Sequence, residues 1–111
     1  MIDARFNVNN IKFFVSKYVD TTKQNLPLWF SYKNKLYPVN EFLYECGVIV
    51  FTTNKKLDDD AVVRSNCLLN LISEVEGSIL SVVRIHDKYK CIGGVSLDEK
   101  CDKIILNLMK K

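Results

Sequence analysis

SILSVVRIHDKYKCIGGV, residues 78–95, decides the fold. It reads as a strand, a turn at His86-Asp87-Lys88 and a returning strand. Successive strand side chains point to opposite faces, so Arg84 and His86 share a wetter face and Val83 and Ile85 a drier one. A sheet therefore organises this half of the chain.

Upstream, AVVRSNCLLNLISEVE (residues 61–76) has helical spacing, and Gly77 stops it. Asp58, Asp59 or Asp60 caps its positive end. Leu68, Leu71, Ile72 and Val75 form one apolar face. Val63 and Cys67 widen it on one side, Val62 and Leu69 on the other, which leaves Asn66, Asn70, Ser73 and Glu74 as the wet side. So broad an apolar arc predicts a helix over 58–76 covered on two sides.

Before it, the β-branched run VIVFTT after Gly47 predicts a central strand. NEFLYEC, residues 40–46, reads either as a helical turn or as a strand approach. In LWFSYKNKLYPV, Trp29, Phe30, Tyr32, Leu36 and Tyr37 favour strand, and Lys33-Asn34-Lys35 is a tight turn, so a hairpin is expected that Pro38 ends or places at an edge. Near the N-terminus, Asn9 and Asn10 suit the cap of a helix running to about Asp20. Ile11, Phe14, Val15, Tyr18 and Val19 share its apolar face and Phe13 does not. TTKQNLP breaks that helix.

Downstream, SLDEKCDKIILNLMKK fits two patterns. Ser96-Leu97-Asp98-Glu99 makes a capping box, and Leu97, Cys101, Ile104, Ile105 and Leu108 follow helical spacing. KIILNL after a DEKCD turn reads equally as a strand. Propensity tips the expectation towards helix.

From about residue 60 to 109 the pattern resembles the roadblock family of longin-like modules. There a long helix precedes a three-stranded meander, matched here by ILSVVRIHDKYKCIGGV and DKIILNLM. An N-terminal helix and a hairpin also come first, as at Ile11–Tyr18 and Trp29–Tyr37 here. LYECGVIVFTTNKK, residues 43–56, is a strand that the family pattern lacks. The resemblance implies dimerisation and scaffolding of GTPases or motors, with no catalytic residue to carry over.

With 111 residues, 48% apolar and 26% charged, the expectation is a single α+β domain over 1–111, an antiparallel-rich sheet with two or three packed helices. The net charge of +3 comes from 13 Lys and only 3 Arg against 13 acidic residues. Lysine is a point charge, whereas arginine suits bidentate readout of phosphate and guanine. No stretch of 18 apolar residues and no apolar leader core occur, so a cytoplasmic protein with reduced cysteines and no membrane contact is expected.

Cys46, Cys67, Cys91 and Cys101 form no close pair of the kind zinc sites use, and are read as small buried hydrophobes without metal. His86, the sole histidine, falls at an exposed turn, away from any paired nucleophile. Capping explains the carboxylate clusters, and Gly93-Gly94 reads as a bulge or turn. No enzyme and no cofactor are expected. The leading reading is a non-enzymatic dimerising adaptor, docking a protein partner or a second copy through Val62 and Leu69 and through Trp29 and Tyr32. The alternative is a small RNA- or ribonucleoprotein-associated factor, binding through lysine-rich turns at Lys33, Lys35, Lys55, Lys56, Lys88 and Lys90.

Overall fold

Asn7 starts the first element. Its side chain accepts the Asn10 backbone N–H (3.1 Å), and the Asn10 side chain accepts the Asn7 N–H (3.0 Å). This reciprocal box opens helix α1 (Val8–Thr22), so the cap is Asn7 with Asn10 and not Asn9. Lys23, at φ 58°, closes α1 by donating its N–H to the Val19 carbonyl at 2.7 Å. The computed structural model describes residues 7–45, 47–53, 62–77 and 79–108.

Two hairpins follow. β1 (Leu28–Tyr32) and β2 (Lys35–Pro38) pair antiparallel around Lys33 and Asn34, whose φ values of 50° and 66° match the turn that best suits strand twist. β3 (Glu41–Glu45) resolves the ambiguous NEFLYEC segment as strand. It pairs with β4 (Val48–Thr52) across Gly47, at φ 79°. In β4 Ile49, Val50, Phe51 and Thr52 are all buried, as a continuous apolar run requires.

The next helix is shorter than its apolar pattern. Val63 donates its N–H to the Val39 carbonyl (2.8 Å), and its own carbonyl accepts from Leu28 (2.9 Å). Arg64 bridges Pro27. These extended contacts hold the segment beside the first hairpin, so α2 spans only Ser65–Ile72. Asp58, Asp59 and Asp60 lie outside the described residues. Cover on two sides is also corrected: Leu68 and Ile72 are buried, while Cys67 and Leu71 face outwards.

The chain ends in a meander of β5 (Leu80–Ile85), β6 (Lys88–Leu97) and β7 (Ile104–Leu108). A helix over 97–109 is therefore wrong. The supposed capping box is the end of β6 and a turn, in which the Cys101 N–H bonds the Asp98 carbonyl (2.8 Å) and the Asp98 N–H the Lys103 carbonyl (3.0 Å). Pairing wins over helical spacing because β7 lies between two strands, with Ile104 and Leu106 fully enclosed.

The seven strands of the described residues form one sheet in the order β2-β1-β7-β6-β5-β4-β3. The expected α+β fold with an antiparallel-rich sheet and two or three helices is corrected by this arrangement. The sheet is mixed, with parallel pairs β1–β7 and β4–β5, it dominates the fold, and two helices accompany it among the described residues. Val8, Ile11 and Val15 of α1 and Leu68 and Ile72 of α2 enter the same core as Phe30, Phe51, Val83, Ile92 and Leu106, so both helices lie on one face of the sheet. The Tyr18 hydroxyl fastens α1 to the sheet by donating to the Val95 carbonyl at 3.1 Å. No helix among the described residues is long and apolar enough to cross a membrane.

Candidate functional site

β7 ends at Leu108, opposite Ile92, and the two hairpins on either side run past it. One carries Tyr32, Lys33 and Lys35, the other Ile85, His86 and Lys88. Between them lies a cleft of about 340 Å³, lined by Tyr32, Lys33, Lys35, Tyr37, Ile85, His86 and Lys88. Each tip is a two-residue turn with both residues at positive φ, His86 and Asp87 at 49° and 67°. Such turns are tight, so the cleft is shaped before a ligand arrives.

The lining follows from strand alternation. Tyr37 pairs with Phe30 and stacks on it at 5.4 Å between ring centroids. Tyr32 pairs with Lys35, and both Tyr32 and Tyr37 rest on the core. Lys88 and Lys90 pair with the buried Ile85 and Val83, which puts both lysines on the core side of the sheet.

Charge converges here. The Lys33 ammonium lies 5.4 Å, and that of Lys90 6.0 Å, from the centre of the Tyr32 ring. Ammonium–ring attraction of about 0.5–1 kcal/mol each orders both side chains. No carboxylate lines the cleft among the described residues. Lys103 differs, pairing with Asp98 (3.6 Å) and Asp102 (3.2 Å) at the far end of β6. There the Lys100 backbone N–H, and then the Lys103 charge, hold the Asp98 carboxyl below its ordinary value.

Of the residues singled out from sequence, Lys33, Lys35, Lys88, Lys90 and Tyr32 are thus brought together, while Lys55 and Lys56 lie outside the described residues. Val62 and Leu69 are half-buried, and Leu69 packs on the core. Trp29 alternates with the core-facing Leu28 and Phe30 and so points to the opposite face, where its enclosed indole N–H has no hydrogen-bond partner among the described residues. Tyr37 and Ile85 were missed as lining residues, although Tyr37 lies two strand positions from Lys35, on the same face, and Ile85 is the strand residue next to the His86 turn.

Cys67, Cys91 and Cys101 carry free thiols, and Cys46 lies outside the described residues. Burial was the wrong expectation for Cys67 and Cys101, which are exposed on the outer side of α2 and in the β6–β7 turn. Gly93 falls within a register shift of β6 against β7, a bulge and not an anion cradle. No family model, no curated protein and no solved structure matches the chain.

Proposed function

We propose that this chain is a small non-enzymatic RNA-associated factor, cytoplasmic in setting, that holds RNA phosphates at the cleft between its two hairpin tips. The observation that carries the reading is the convergence of Lys33, Lys35, Lys88 and Lys90 around Tyr32 with no lining carboxylate among the described residues. Clustered lysines attract phosphate through counterion release, and that term is independent of sequence. The dearth of arginine agrees with backbone contact over base readout. The test is fluorescence anisotropy of a labelled RNA at rising salt. Affinity falls steeply if phosphates are held, and a salt-independent or absent signal refutes the proposal.

A second reading, the dimerising adaptor, draws on a different observation. β3 is an edge strand with Leu43 38% and Tyr44 61% exposed, and nothing among the described residues pairs with its outer side. Open edges of this kind take up strands from other chains. The resemblance to roadblock modules belongs to this reading. Light scattering of the wild type and of a Leu43→Lys/Tyr44→Lys variant tests it, since a wild-type monomer at high concentration removes the homodimer.

A further inference from the structure

We infer that the cleft takes a single RNA strand in preference to a duplex, with Tyr89 as the platform on which a base stacks. The inference rests on the phosphate-binding reading above and adds to it what kind of RNA is bound.

β6 changes partner along its length, pairing with β5 up to Cys91 and with β7 from Ile92 onwards. Over Lys88–Cys91 it pairs with β5 alone among the described residues, so one margin of this ribbon borders the cleft. Side chains alternate along it. Lys88 and Lys90 stand on the core side, and Tyr89, paired with Arg84, stands on the other. Tyr89 is 55% exposed, and no ring or cation partner for it is found among the described residues. Tyr32 is already flanked by the Lys33 and Lys90 ammonium groups and is less free to receive a base.

The ribbon thus offers a strand two chemistries across its own thickness, ammonium groups on one side and a free aromatic face on the other. A flexible single strand can place its phosphates against the first while turning one unpaired base onto the second. In a duplex the bases are already stacked on one another, and Tyr89 has nothing to receive. The space is also small. A cleft of about 340 Å³ between Tyr32 and Tyr37 on one hairpin and Ile85 and Lys88 on the other is on the scale of a small-ligand pocket, not of a double helix. Stacking tolerates every base, so discrimination among sequences is weak.

The experiment uses the whole chain and three probes: a fluorescein-labelled ten-nucleotide oligouridylate, an RNA duplex of the same length, and heparin. The wild type binds the single strand more tightly than the duplex. Tyr89→Ala weakens oligouridylate binding by roughly 5- to 150-fold, the range that loss of one stacked base gives, without changing its salt slope or heparin binding. Tyr89→Phe keeps the wild-type affinity, because the ring and not the hydroxyl is used. Unfolding curves of the two variants check that the exposed position leaves the fold intact. If Tyr89→Ala binds oligouridylate as the wild type does, or if the duplex binds as tightly, the single-strand inference falls while salt-dependent binding still upholds the phosphate reading. If the wild type binds none of the three probes, both fall.

Discussion

Reversing two charges at the cleft, Lys33→Glu with Lys88→Glu, strikes the site without touching the core. Both side chains are exposed and sit at or beside hairpin tips, where substitutions shift stability by no more than about 1 kcal/mol. Each reversal moves the local charge by two, so the pair takes the field of Lys33, Lys35, Lys88 and Lys90 from four positive charges to none. If all four ammonium groups meet phosphates of a single strand, the plot of log affinity against log salt has a slope of about −3. Between 50 and 200 mM salt that slope lowers wild-type affinity by about 50-fold. The double variant loses most of its low-salt affinity and its slope approaches zero. Lys33→Glu also removes one ammonium from the Tyr32 ring, a loss of about 0.5–1 kcal/mol at an exposed site. The assay is anisotropy of labelled oligouridylate at three salt concentrations, beside a urea unfolding curve of each protein. A variant that folds normally and keeps the wild-type slope refutes the assignment of phosphate contacts to these lysines.

Other expectations concern the scaffold. Leu68→Ala, at a fully buried position of a two-turn helix, costs about 2–5 kcal/mol in urea unfolding, whereas Leu71→Ala, 55% exposed three residues on, costs well under 1 kcal/mol. Equal losses would contradict the one-sided burial of α2. Asn7→Ala removes the α1 box and lowers stability by about 1 kcal/mol, seen as a lower midpoint at unchanged slope. Gly77→Ala brings a methyl against the end of the exposed Asn9 side chain, which swings aside into solvent, so it costs less than about 1 kcal/mol by the same unfolding curve. Asp98 titrates below 3.8 in the folded chain, so its contribution is present above that pH and is lost as pH falls through the lowered value. Carboxyl NMR titration of Asp98 checks the direction.

Local patterns carried the hairpins. Lys33-Asn34 and His86-Asp87 stand between apolar runs, and both are turns because Asn34, His86 and Asp87 tolerate positive φ better than the branched residues around them. The basic end was legible for the same reason, since lysines cluster at turns and turns lie at sheet ends. That the first and third hairpins share one end was not legible. It depends on β1 lying parallel to β7, a pairing between residues some 76 positions apart that no local pattern encodes. The C-terminal segment failed differently. Ile104, Ile105 and Leu108 satisfy helical spacing, but Ile104 and Leu106 also satisfy strand alternation, and the empty lane between β1 and β6 decided between them. In 62–64, backbone groups of Val39 and Leu28 compete for Val63 and hold it extended against its helical surroundings.

The most direct test is to locate the ligand on the protein. Titrating oligouridylate into the isotope-labelled chain and following backbone amide signals predicts shifts concentrated at Tyr32, Lys33 and Lys35 on one hairpin and at His86, Lys88, Tyr89 and Lys90 on the other, with the α1 residues Phe13 and Lys17 and the β3 residues Leu43 and Tyr44 unmoved. Shifts confined to β3 or the helices, or none at saturating RNA, would contradict the account.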